Sequence, residues 1–305
     1  MCLIIRLVAI VAEMTVTDDA GVGTPIEPRL AGHTGYLARL ASQRAERCDL
    51  AALPSGRSPR DLAVLCVLAE RPLSQARLGS LLEVNRTVMI AVIDGLESAG
   101  LVRRERDPAD RRRYALRVTG EGAAALEEMR GSVRSAEKRL VAPLGPAGHR
   151  RLHELLRPIV PDLVDALPES VTGQTGFLLD RVSRRLRGQR EQALRGLGIE
   201  PWCVRMLVAL DSAQPCTQER LAGCMGVTGP TIVQAIDDLH SAGLILRDRN
   251  PADRREHVLR LTPEGERYLA EALKVEDGAQ RDLADLLGDA EAAELNALLA
   301  ALVTG

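Results

Sequence analysis

The stretch DGLESAGLVRRERDPADRRRYALRVTGEG (94–122) decides the fold, because the chain writes it again as DDLHSAGLILRDRNPADRREHVLRLTPEG (237–265). The two copies stand 143 residues apart. At that shift Ser74–Gly122 falls on Thr217–Gly265 without a gap, and 23 of the 49 positions are identical. Within each stretch the apolar period changes from about 3.6 to 2 after Gly100 and Gly243, which predicts a helix followed by a two-stranded hairpin. The hairpin turns are Asp107-Pro108-Ala109-Asp110 and Asn250-Pro251-Ala252-Asp253, both built from turn-forming residues.

Working outward, the leucines stay in step downstream: Leu140, Leu152, Leu155 and Leu156 match Leu283, Leu295, Leu298 and Leu299. Upstream, Thr34-Gly35-Tyr36-Leu37 matches Thr175-Gly176-Phe177-Leu178 at a shift of 141. Each copy is therefore too long for a solenoid repeat and reads as a duplicated domain. The divisions are 1–29 as an N-terminal extension, 30–165 as the first domain and 166–305 as the second. Met1–Ala12 is apolar but too short to span a membrane, and Arg6 interrupts it. The reading taken here is an extended or misassigned start, with the working chain expected to begin near Met14.

Within each copy the order of elements is the same. Helices are expected over 30–48 and 175–195. Another begins at Ser58-Pro59, with serine as cap and proline in the first turn. Two short helices follow, the first capped by Ser74 or Thr217 and the second by Asn85 or Thr228. Hairpins span 101–106 with 114–119 and 244–249 with 257–262. Long helices close each copy over 120–141 with 147–160, and 263–287 with 290–303. The expected fold is mainly helical with small β-hairpin wings: two tandem winged helix-turn-helix domains on helical arms.

Composition excludes other classes. Net charge is −2, and only five aromatic residues occur, which argues against base-stacking platforms and aromatic cages. The charge is unevenly placed. From Arg103 to Arg117, seven arginines face three carboxylates, a local +4; from Arg247 to Arg260, five face three, a local +2. Six cysteines without a CxxC pair read as reduced thiols of a cytoplasmic protein. No GxSxG elbow or glycine-rich phosphate loop occurs, so no enzyme and no cofactor is expected. His149 and His153 stand four apart on one helix, but the sequence shows no third ligand beside them, so no metal site is expected.

The run D-x-L-x-x-x-G-L-hydrophobic-x-R-x-R-D/N-P-A-D-R-R, followed by L-R-hydrophobic-T-x-E-G, resembles the wing signature of the MarR family of transcriptional regulators. It occurs twice, and the matching helices cover residues 30–303. Family members are homodimers with interlocked terminal helices and two winged lobes on a pseudo-palindrome. The resemblance thus implies an intramolecular pseudo-dimer, monomeric as a chain, with lobes about 34 Å apart on double-stranded DNA. The join, Pro161–Thr172, spans at most about 40 Å when extended, so the end of one copy must lie near the start of the other.

The resemblance also implies roles. The recognition helices would present Asn85, Arg86, Thr87 and Val88, then Thr228, Gly229, Thr231 and Gln234. Arg86 suits a guanine edge and Gln234 an adenine. In the wings, Asp110 and Asp253 would orient arginines among Arg111, Arg112, Arg113, Arg254 and Arg255, with Arg112 and Arg255 entering the minor groove. Val88-Met89-Ile90-Ala91 and Gly229-Pro230 depart from the family's more polar pattern, so the lobes differ and an asymmetric operator is expected. The function implied is a repressor released or modulated by a small, aromatic or acidic effector. His33, Tyr36, Arg39, Phe177 and Trp202 are the candidates to bind it.

Two alternatives stand beside this. One is a DNA-incompetent ligand sensor or partner-binding protein of the same fold. The other is a thiol-based redox regulator using Cys48 or Cys203, expected to be the more open cysteines, whereas Cys224, aligned with Leu81, is expected to pack as a small hydrophobe.

Overall fold

The computed structural model describes residue 26 and residues 30–106, 114–225, 229–249 and 256–305. The chain divides into two compact units: residues 23–186 with 282–305, and a smaller one that takes in residues 187–281.

The larger unit opens with α1 (Thr34–Ala52). The next helix, α2 (Pro59–Glu70), starts in a full capping box: Asp61 N–H donates to Ser58 Oγ, and Ser58 N–H donates to Asp61 Oδ2. Ser74 caps α3 (Gln75–Leu81), and Asn85 caps α4 (Arg86–Ser98) by accepting from Val88 N–H at 2.9 Å. Strands β1 (Val102–Arg106) and β2 (Tyr114–Val118) pair antiparallel, with Val102 opposite Val118 and Arg106 opposite Tyr114. Thr119 then caps α5 (Gly120–Leu140), and α6 (Gly145–Leu156) follows a short turn.

The join, whose reach was bounded only by its extended length, is mostly helical. It forms α7 (Pro161–Ala166) and the single turn α8 (Glu169–Thr172), and then enters α9 (Thr175–Gly196). Arg157 fixes it by donating to both carboxylate oxygens of Glu169 at 2.7 and 2.8 Å.

The last helix of the second copy, α14 (Asp289–Thr304), packs along α1, the first helix of the first copy. Leu37, Ala38, Ala41 and Ala45 on one side, with Leu295, Leu299, Leu302 and Val303 on the other, belong to one buried cluster. These residues recur at three- and four-residue spacing, and the alanines let the helices approach closely. Each fully buried leucine contributes roughly 1.5–3 kcal/mol. Leu178, Leu179 and Val182 from the start of α9 join the same cluster. The arms of the two copies thus share a core, as the family resemblance implied. Polar ties fix the register: Thr34 Oγ1 donates to Asn296 Oδ1 at 2.6 Å, and Asn296 Nδ2 donates to Gly32 C=O at 2.8 Å.

The smaller unit repeats the winged arrangement. It contains α10 (Pro201–Ala213), β3 (Cys216–Thr217), α11 (Gln218–Met225), α12 (Gly229–Ser241), β4 (Ile245–Arg249), β5 (His257–Leu261) and most of α13 (Pro263–Leu287). Its sheet has three strands in the order β3-β5-β4. The first copy keeps a trace of the third strand as a single bridge, Leu116 N–H to Leu73 C=O at 2.8 Å. The hairpins were read without this partner, because one or two residues show no alternation to read.

Candidate nucleic-acid interface

At the start of α4, Asn85, Arg86 and Thr87 are exposed, whereas Val88 is half-buried and so is not fully outward. Asn85 spends its side-chain oxygen on the helix cap. The exposed face continues through Ile90 and Ala91 to Asp94, apolar in its middle as the residue pattern anticipated. In α12, Gly229 and Thr231 lie in the first turn. Gln234 is exposed, and its amide donates to Asp238 Oδ1 at 2.9 Å. Thr228 and the wing residues Asp110, Arg111, Arg112, Arg113, Asp253, Arg254 and Arg255 lie outside the described residues.

The roots of the wings are described, and they hold a feature the sequence reading missed. Arg104 on β1 reaches back to α4, donating to Asp94 Oδ1 at 2.7 Å and pairing closely with Glu97. In the second copy Arg247 on β4 pairs closely with Asp237 on α12. Both pairs match at the 143-residue shift, so their identity in the two copies was the signal available. Position 97 becomes His240, whose Nδ1 faces Ile245 C=O at 3.1 Å instead. Arg103 and Arg117 both pair with Glu105, at 2.6 and 2.7 Å. Glu105 is already included in the local +4, so of these contacts only the pairing of Arg104 with Asp94 and Glu97 offsets that charge further.

A cavity of about 270 Å³ lies in the larger unit beside this lobe. Its apolar wall includes Val64, Leu82, Met89, Val92 and Phe177. Arg181, on α9, is 6% exposed and stacks its guanidinium 4.9 Å from the Phe177 ring centre. Its Nε and Nη1 are buried without a hydrogen-bond partner, the nearest carboxylate oxygens being 3.5 Å (Asp180) and 3.7 Å (Glu83) away. Burial pulls its pKa down, yet a guanidinium stays charged. Asp49 also lines the cavity, and burial, then Glu137 and Glu46, push its carboxyl up to about 7, so at neutral pH that carboxyl is only partly ionised.

Of the five effector candidates only Phe177 lines this cavity. Tyr36 packs against the core with the Arg39 guanidinium 5.2 Å over its ring. His33 precedes α1 as its N-cap residue, and Trp202 is half-buried in the first turn of α10. Arg181 was missed because arginines crowd α9 and only tertiary burial distinguishes this one. Two cysteine expectations are corrected. Cys203 is 5% exposed, since it sits on the inner face of α10, whereas Cys224 is exposed near the end of α11.

Fold and interface define a winged helix-turn-helix protein of the DNA-binding class, carried in duplicate. A MarR family model matches residues 55–113 and again 197–256. A curated relative from Thauera aromatica, "Putative transcriptional regulatory protein for hcr operon", is 31% identical over 144 residues, 47% of this chain and 87% of its own length. The chain belongs to the MarR family of transcriptional regulators. Solved structures similar to it include the transcriptional repressor CouR bound to a 23-mer DNA duplex, at 30% identity and TM-score 0.40, covering 44% of this chain and 96% of CouR. The PcaV regulator of Streptomyces coelicolor in complex with its natural ligand is 27% identical at TM-score 0.40, covering 45% and 97%. Among the described residues, no helix is long and apolar enough to cross a membrane.

Proposed function

We propose that the chain is a ligand-responsive repressor, acting in the cytoplasm as a monomeric pseudo-dimer on an asymmetric, pseudo-palindromic operator. The observation that carries this is the duplicated tether between wing root and recognition helix, Arg104 to Asp94 and Arg247 to Asp237. It fixes each hairpin to the helix whose first turn would enter the major groove. Arg86 then reads a guanine edge in one half-site and Gln234 an adenine in the other. Arg112 and Arg255 supply the minor-groove contacts, with Arg111, Arg113 and Arg254 on neighbouring phosphates and Asp110 and Asp253 orienting them.

The effector in this reading is a small carboxylate with an apolar, preferably aromatic body. Arg181 offers buried donors without partners, which an oxyanion would satisfy, and Phe177, Met89 and Val92 offer the apolar wall. A sensor that does not bind DNA is favoured over this by one observation, the exposed Ile90 and Ala91 where a polar reading face is expected.

Selection of bound fragments from genomic DNA, repeated across salt concentrations, tests the two readings. A repressor yields an operator with unlike half-sites and a log–log salt dependence of negative slope. Arg112→Ala and Arg255→Ala weaken binding to all sequences, whereas Arg86→Ala changes base preference. If no fragment is retained at low salt, the sensor reading stands.

A further inference from the structure

Near the end of α5 and along α6, three metal-ligating side chains that the sequence keeps apart come together. Glu137, His149 and His153 place one carboxylate oxygen and two ring nitrogens within 4.8 Å of one another. Glu137 Oε1 is 3.8 Å from His149 Nε2, and the two imidazole centres are 5.0 Å apart. Thr175, at the start of α9, sits in their midst. Its hydroxyl lies 2.8 Å from His149 Nε2, 2.9 Å from His153 Nε2, and closely against Glu137 Oε1. One hydroxyl can donate once and accept twice, so this network fills its capacity, with Thr175 N–H also donating to Glu137 Oε1 at 2.8 Å.

The duplication provides an internal control for what the fold requires here. Thr175 corresponds to Thr34, and His153 to Asn296, which join through one hydrogen bond of 2.6 Å. His149 corresponds to Ala292 and Glu137 to Gln280. The duplicated fold thus forms the same helix junction around Thr34 with an amide and an alanine where the junction around Thr175 has two imidazoles and a carboxylate. We propose that Glu137, His149 and His153 form a binding site for a divalent transition-metal ion of the zinc class. Two imidazole nitrogens and one carboxylate oxygen are a complete protein ligand set for zinc, with a fourth position left to water.

The ion takes the place the Thr175 hydroxyl now bridges. Bonds of about 2.0–2.2 Å require the three ligand atoms to close by about 1 Å, within reach of side-chain torsions. Both histidines then bind through Nε2 and carry their proton on Nδ1. His149 keeps 31% of its side chain exposed, giving an ion a route from solvent.

The test uses the full chain, stripped with chelator and titrated with Zn²⁺ and with Co²⁺. The expected result is about one ion per chain, bound tighter than about 1 µM. The Co²⁺ form is expected to show tetrahedral d–d bands without a thiolate charge-transfer band. The variant Glu137→Gln, His149→Ala, His153→Asn installs the second copy's own residues and is expected to lose at least 100-fold in affinity. In the wild-type chain, the ring resonances of His149 and His153 are expected to shift on Zn²⁺ addition, and those of His33, His240 and His257 to stay. Zn²⁺ uptake unchanged by the triple substitution, a thiolate band, or unmoved His149 and His153 resonances overturns the proposal. The resonance readout decides it even if the variant fails to fold.

Discussion

Arg104 Nη2 lies 2.7 Å from Asp94 Oδ1, joining the root of the first wing to the recognition helix, and Arg247 and Asp237 repeat the pair in the second copy. Both partners are substantially exposed, so the pair contributes no more than about 1 kcal/mol to stability. Its role is to orient the wing. Arg104→Ala is expected to leave the urea midpoint almost unchanged and to weaken operator binding about tenfold. Asp94→Ala separates orientation from bulk charge. Removing an anion from a DNA-facing helix tightens binding on charge alone, whereas loss of the tether weakens it. We expect weaker binding, and a double variant no worse than Arg104→Ala, because the two substitutions remove one contact.

Gly122 and Gly265 explain why Glu-Gly closes both copies of the repeated stretch. A Cβ on Gly122 would lie 2.0 Å from Leu101 C=O, and one on Gly265 would lie 2.0 Å from Leu244 C=O. Backbone occupies the space, so no side-chain adjustment relieves the clash. Gly122→Ala is expected to destabilise by about 1–3 kcal/mol in urea unfolding. Gly131, in the middle of the same helix, has nothing within 4 Å of its would-be Cβ. Gly131→Ala is expected to stabilise by up to about 1 kcal/mol. Opposite signs from one substitution type on one helix distinguish close approach from helix propensity.

What could be read from the sequence was what is encoded locally. Ser58, Ser74 and Asn85 announce helix starts by chemistry confined to four residues, and each caps as expected. The hairpins declare themselves by a change of period. What could not be read depends on distant chain. Glu137 meets His149 across a turn, and Arg181 differs from its arginine neighbours only in being enclosed. Cys224 inherited the expectation of Leu81, yet the aligned positions differ in burial between the copies. The wing tips, where the charge count pointed most strongly, lie outside the described residues.

Asp49 couples the cavity to pH. Burial and the carboxylates Glu137 and Glu46 hold its pKa at about 7, against about 3.9 in an unfolded chain. Below about pH 4 both states are protonated and the group has no effect. As pH rises the unfolded carboxyl ionises first, so the folded state carries a penalty that is complete only above about 7. Asp49→Asn is therefore expected to raise stability at pH 8, and by less at pH 5.5. Glu137→Gln removes one of the repelling charges and is expected to lower the Asp49 midpoint, read by carboxyl NMR titration. Equal gains from Asp49→Asn at both pH values would contradict the assignment.

The cysteines allow the redox alternative to be tested directly. Burial pushes the Cys203 thiol up to about 12, although the Tyr268 hydroxyl hydrogen bond pulls against it. At pH 7.5 its thiolate fraction is then on the order of 10⁻⁴ or lower, against nearly a tenth for an ordinary exposed thiol. In the folded chain a disulfide-forming reagent is expected to modify exposed Cys224 at least 100-fold faster than Cys203, with sites assigned by mass spectrometry of digests. Cys203 is expected to react at an ordinary rate once urea exposes it. Oxidant-dependent release of DNA, if it occurs, should then survive Cys203→Ser and be sought at half-buried Cys48. Labelling of Cys203 in the native chain as fast as Cys224 would show that α10 opens readily, and would return Cys203 to the list of sensors.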